Sequence, residues 1–124
     1  MREIKFRKWH KELQDMTFWD GSKGSNNLFW HTLTEYPEMY SLMQFTGSVD
    51  RNGNEIYEGD IVLLDEGFYP RNRPIVFSEY GAWNIGELGI SFGQMKADGF
   101  VHCEVIGNIY QNPKLLERSA KADA

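Results

Sequence analysis

Residues 42–64, LMQFTGSVDRNGNEIYEGDIVLL, read as strand, tight turn, strand, polar turn and buried strand. Tyr40 to Thr46 has strand character, and Asp50-Arg51-Asn52-Gly53 follows as a hairpin tip. Asn tolerates positive φ and Gly has no Cβ to clash, so Asn-Gly favours a turn that needs this conformation at successive residues. Ile56 and Tyr57 lead through the polar turn Glu58-Gly59-Asp60 into Ile61 to Leu64. That last run is apolar without alternation, as expected of a central strand covered on both faces.

Upstream, Arg2 to Trp9 alternates, with Ile4 and Phe6 on one face and Glu3, Lys5 and Arg7 on the other. This is the period of a half-exposed strand, and its charged face suits a sheet edge. Met16 to Trp19 resumes an apolar run and completes an N-terminal hairpin. The stretch DGSKGSNN at 20–27 has loop composition, Leu28 to Leu33 reads as a further strand, and Thr34 to Tyr40, with Pro37 inside, as a turn or short helical piece.

Downstream, Ile75 to Phe77 and Ala82 to Ile85 flank a turn at 78–81 and form a second hairpin. Residues 86–99 carry no assignable pattern, although Ile90 and Phe92 suit a short strand. Glu104 to Tyr110 is the last strand, in which Gly107 marks a bulge or a close backbone approach. Asn112-Pro113 starts a short helical turn, since Asn can accept from a free amide and Pro has none to satisfy. The closing SAKADA has nothing to bury.

A chain of 124 residues fits one domain that buries roughly two thirds of its unfolded surface. Aromatic residues make up 15% and there are 12 glycines, which favours short twisted strands over a helix bundle. The net charge of −5 argues against a general nucleic-acid coat. Cys103, the single cysteine, excludes an internal disulfide and suits a reducing compartment. No segment reaches the roughly 18 apolar residues of a membrane span, and the charged start is unlike a signal peptide. The reading is a soluble, cytoplasmic protein.

Three segments, IKFRKWHKELQDM, LMQFTGSVDRNGNEIYEGDIV and EVIGNIYQNPKLLE, resemble the YopX family of small phage and prophage proteins. The resemblance implies a mainly β protein whose C-terminal part forms a partly open barrel similar to SH3-like barrels, in the host cell cytoplasm. It supplies no catalytic residues. His10 stands where the family usually has an acid, and Ser48-Val49 where Leu-Lys is usual. The expected architecture is one mainly β domain over residues 1–118, with an N-terminal hairpin, the partly open SH3-like barrel, one short C-terminal helical turn and a frayed tail at 119–124.

No motif carries chemistry. Asp50, Glu55, Glu58, Asp60, Asp65 and Glu66 cluster in sequence, and paired acids can do acid–base work, but turns recruit acids for backbone hydrogen bonds and solubility. His10, His31 and His102 lack metal-ligand spacing, and His102 and Cys103 point to opposite faces of a strand. Gly86-Glu87-Leu88-Gly89 lacks the Lys-Ser/Thr ending of a phosphate loop. Neither catalysis, a metal nor a cofactor is expected. Phe29, Trp30 and Trp83 read as core, whereas Tyr57, Phe68 and Tyr69 lie by turns as candidate interface residues. The first functional reading is a non-enzymatic module that binds another protein or its own copies. The alternative is nucleic-acid binding through Arg2, Lys5, Arg7, Lys8 and Lys11, cations interleaved with Phe6 and Trp9.

Overall fold

The computed structural model describes residues 3–21, 27–64, 71–77, 82–86, 90–91 and 103–116. Its first sheet is assembled around the hairpin of β3 (Tyr40–Val49) and β4 (Glu55–Tyr57), which pairs Phe45 with Tyr57 and Val49 with Glu55. At the tip only Gly53 takes positive φ, at 84°, and Asn52 does not. The turn is instead organised by Asp50, whose Oδ1 accepts the amides of Asn52 and Asn54 at 2.9 Å each. A carboxylate that gathers two amides does the work expected of an Asn in the left-handed region.

The N-terminal hairpin joins β1 (Phe6–His10) to β2 (Asp15–Trp19), with Phe6 opposite Trp19 and His10 opposite Asp15. His10 Nδ1 accepts the amides of Leu13 (3.0 Å) and Glu12 (3.2 Å) in the turn. The sheet order is β2-β1-β3-β4, so β1 is internal and the expectation of an edge strand there is overturned. β3 pairs along its other side, from Phe6 opposite Gln44 to His10 opposite Tyr40, and side-chain alternation reports the faces of a sheet, not whether a strand lies at its edge.

Residues Asn27–Glu35 form helix α1, where a strand was expected. The short stretch Leu28 to Leu33, with four apolar residues of six, is compatible with either form, and burial settles it. Trp30 of α1 sits edge-on against Phe6 and Trp19, with ring centroids 5.2 Å away in both cases. The hydroxyls of Thr32 and Thr34, which disfavour a helix by competing for the backbone, are satisfied on the carbonyls of Leu28 and Trp30. A 3-10 turn, Pro37–Met39, then delivers the chain to β3.

The second sheet has the order β8-β7-β6-β5-β9, from β5 (Asp60–Leu64), β6 (Arg71–Phe77), β7 (Trp83–Ile85), β8 (Ile90–Ser91) and β9 (Cys103–Asn108). Strand β5, expected to be central, is internal but lies between the middle strand β6 and the edge strand β9; all of its residues but Leu63 are buried, in keeping with its unbroken apolar run. Ile56, Val62, Leu64, Ile75, Ile85 and Cys103 make one buried cluster, with Trp83 and Val105 packed against it. Each such side chain contributes about 1.5–3 kcal/mol by leaving water. Where Ile61 faces Gly107, its neighbour Val62 faces Val105, so β9 holds one extra residue. A Cβ at Gly107 would lie 2.5 Å from Asn112 Oδ1, so bulge and close approach coincide.

The fold is therefore mainly β: two antiparallel sheets, one curled as half of a barrel, with an N-terminal hairpin and a helical turn at 114–116. The Asn112 side chain turns backward to accept from Asn108 N (3.2 Å) and does not cap that turn. No helix among the described residues is long and apolar enough to cross a membrane. The tail at 119–124 and the turn at 78–81 lie outside the described residues.

Candidate binding groove at the seam of the two sheets

Alternation along β1 sends Arg7 and Trp9 to one face of the first sheet and Phe6 and Lys8 to the other, under α1. The first face meets the second sheet. There Arg7 Nη2 donates to Asp60 Oδ1 at 2.8 Å and to Glu58 O at 3.2 Å. Its Nε lies 3.4 Å from Met43 Sδ, and its guanidinium covers the Tyr57 ring at 4.8 Å. The other Asp60 oxygen accepts the Tyr57 amide at 2.7 Å. The two side chains are only 7% and 4% exposed. Burial pushes the Asp60 carboxyl up, against the pull of Arg7 and the Tyr57 amide.

On the opposite face Lys8 Nζ donates to Phe29 O at 2.6 Å and to Thr32 Oγ1, and lies over the rings of Phe29 (4.4 Å) and Tyr40 (4.6 Å). Burial pushes its ammonium pKa down. The rings and the helix carbonyl hold a cation that would otherwise be stranded away from water.

Beside the Arg7–Asp60 seam opens a groove of about 630 Å³, lined by Trp9 and Gln14 from the first hairpin and by residues 110–115. Trp9 stacks on Tyr110 with centroids 6.0 Å apart and ring planes 22° from parallel. The groove is also lined by carboxamides whose orientation is set by Asn108. Its amide uses Asn112 Oδ1, and its Nδ2 uses Gln111 Oε1 at 2.7 Å. With those oxygens engaged, the amide nitrogens of Gln111 and Asn112 remain as donors. Lys114 adds an ammonium, and among the described residues no acid lines the groove, although the whole chain carries −5.

The residues singled out in sequence are dispersed. Arg7 and Lys8 are buried with internal partners, Lys5 pairs with Glu3 (2.9 Å) and Glu55, and Lys11 is exposed. Arg2 lies outside the described residues, so no continuous basic strand face is formed by the other four. Tyr57, expected at the surface, is 4% exposed because Phe45, Phe18 and Arg7 close over it. Phe68, Tyr69, Asp65, Glu66 and His102 are outside the described residues.

Among the acids, Asp50 and Asp60 are buried on opposite sides of Tyr57 in sequence, each holding backbone amides. Burial raises the Asp50 carboxyl, but the amides of Val105, Asn54 and Asn52 outweigh it and hold the carboxyl below its usual range. Glu58 Oε1 accepts the Gln44 amide at 3.4 Å. His31 is exposed on α1 and Cys103 is fully buried. Among the described residues, no three of His, Cys, Asp and Glu converge as a metal site. The groove itself went unread in sequence; its one local signal is the density of carboxamides in NIYQN at 108–112.

The structure is similar to the crystal structure of protein EF1440 from Enterococcus faecalis, with a TM-score of 0.63 and 23% identity, covering 94% of this chain and 99% of that one. At this identity the likeness concerns the fold. No curated protein matches the chain. The family model described as YopX protein matches residues 5–117, nearly the whole length, and the chain belongs to the YopX family.

Proposed function

We propose that this chain is a non-enzymatic accessory protein, encoded by a phage or prophage and working in the host cytoplasm, that binds a segment of another protein in the groove beside the seam. The viral origin and the compartment rest on the family resemblance. The observation that carries the binding reading is the groove's composition: stacked Trp9 and Tyr110, carboxamides on Gln111 and Asn112 whose oxygens are engaged by Asn108, and Lys114, with no acid among the described lining residues. Ring faces accept an apolar side chain, while amide N–H groups and an ammonium accept carbonyl or carboxylate oxygens. These are groups that hold a chain, and an acidic extended segment suits them.

Affinity purification from host cells with wild-type protein and with Lys114→Glu tests the reading. Lys114 is exposed, so its charge reversal leaves the fold intact. A partner retained by the wild type and depleted at least tenfold by the variant supports the proposal. Identical recovery with both proteins, or no specific partner, refutes it.

A further inference from the structure

Tyr110 borders a second cleft as well as the groove. This cleft, of about 210 Å³, is lined among others by Leu42, Glu58, Ile75, Phe77 and Ile109. Gly59 ties its walls together, since its amide donates to Ile75 O and its carbonyl accepts the Ile109 amide, both at 2.9 Å. A Cβ at Gly59 would already touch the Tyr110 ring, at 3.7 Å, so the ring lies directly beside this junction. Two large apolar side chains remain in water here: Leu42 is 41% and Phe77 is 51% exposed. Exposed apolar groups gathered at a concave site mark a contact surface. Glu58 is the one charged side chain among the described lining residues. Its Oε1 accepts the Gln44 amide at a long 3.4 Å, and among the described residues no cation pairs with it.

We infer that the partner segment held in the groove runs on past Tyr110 into this cleft, and that it carries in order an acid, an apolar side chain and a lysine or arginine. This deepens the groove reading and rests on it. Continuity comes from Tyr110, which lines both depressions. The order of the side chains comes from charge. Among the described residues the groove offers Lys114 and no acid, and the cleft offers Glu58 and no cation. A segment of one sign fits only one half of this track, because a like charge set beside Lys114 or Glu58 is repelled; a segment that changes sign fits both. Between the two charges the lining is apolar, so the residue between the acid and the base is apolar too, and it covers the exposed Phe77 ring. The same Glu58 disfavours a phosphate backbone, which carries one sign throughout. A cation brought to the Glu58 carboxylate makes a charge-assisted hydrogen bond in place of a long one to an amide.

A library of random peptides displayed on yeast and selected on the wild-type chain should converge on sequences with an acid, an apolar residue and a lysine or arginine in that order along the track. The affinity of a selected synthetic peptide, read by fluorescence anisotropy, should fall about fivefold or more with each of Glu58→Gln, Phe77→Ala and Lys114→Glu, with circular dichroism unchanged. Glu58→Gln keeps an oxygen for the Gln44 amide, so the fold is retained. A peptide whose basic residue is replaced by Gln should bind the wild type and Glu58→Gln equally, which a merely structural role for Glu58 would not produce. Selected peptides without a basic residue, or an affinity indifferent to Glu58→Gln or to Phe77→Ala, overturn the inference; if Lys114→Glu still weakens binding, the groove reading survives. Sensitivity to Glu58→Gln but not to Lys114→Glu removes the groove reading and the spanning segment with it, as does a selection that enriches no peptide. Self-association of the protein alone that Glu58→Gln abolishes makes the occupant a second copy and likewise overturns the inference.

Discussion

Removing the Asp60 carboxylate should cost about 4 kcal/mol and come close to unfolding the protein. In Asp60→Ala, Arg7 stays buried without its counter-ion, a situation that typically costs about 3–5 kcal/mol. Glu58 O and the Tyr57 ring still contact the guanidinium, which sets this loss at the lower end, about 3 kcal/mol. The buried Tyr57 amide also loses its acceptor, which adds about 1 kcal/mol or more. Domains of this size hold about 5–15 kcal/mol in all, so the change is severe.

Urea unfolding at pH 7, followed by tryptophan fluorescence, measures it. With an m-value of about 2 kcal/mol/M the midpoint should fall by about 2 M. Asp60→Asn should cost less, because an amide oxygen can still receive the Tyr57 N–H. Arg7→Met combined with Asp60→Asn should recover part of the loss, since no buried charge then remains. Arg7→Met alone should gain stability on acidification. Burial raises the Asp60 carboxyl above 3.8, so protonation favours the folded state, and that contribution is lost as pH rises through the folded value. A midpoint shift below about 0.5 M for Asp60→Ala would match an exposed ion pair and refute the claim that this seam is dry.

Asp50 has the opposite pH sign. Its folded pKa lies below 3.8, so its contribution is full above that value and is lost as pH falls through the folded pKa. Asp50→Asn should cost about 1–3 kcal/mol at neutral pH, by weakening the contacts to Val105, Asn52 and Asn54, and acid titration of stability should be flatter than in wild type. Gly107→Ala should destabilise by about 1–3 kcal/mol, because its Cβ would strike the Asn112 side chain held by the Asn108 amide. Thermal unfolding of Gly107→Ala with and without Asn112→Ser checks this, and the second change should restore much of the loss.

The features legible in the chain were those set by short-range stereochemistry. The β3–β4 hairpin, the unbroken apolar run of β5, the β6–β7 hairpin and the bulge at Gly107 each follow from a few adjacent residues. The same locality explains why the family was recognisable: its segments are strands and the turns between them. Even there, context altered details. The tip at 50–53 kept its place while Asp50, not Asn52, took over the geometry, because that carboxylate also receives the Val105 amide from β9 at 2.8 Å. Leu28 to Leu33 became helix, since a short apolar run has no strong preference and the aromatic wall of Phe6 and Trp19 rewards the helical placement of Trp30.

What the sequence by itself determined is the strand and turn grammar, the mainly β class and the family. Tertiary structure alone decided which polar groups are inside. Arg7 carries the alternation and Tyr57 the turn context of a surface residue, and Lys8 is a cation on the face of Ile4 and Phe6, yet each is buried, because Asp60 lies 53 residues from Arg7 and α1 returns over Lys8. The groove likewise joins Trp9 to Tyr110 across most of the chain. Side-chain periodicity reports which face a residue occupies, but whether that face meets water depends on what packs against it, and that is a property of distant segments brought together by the sheets.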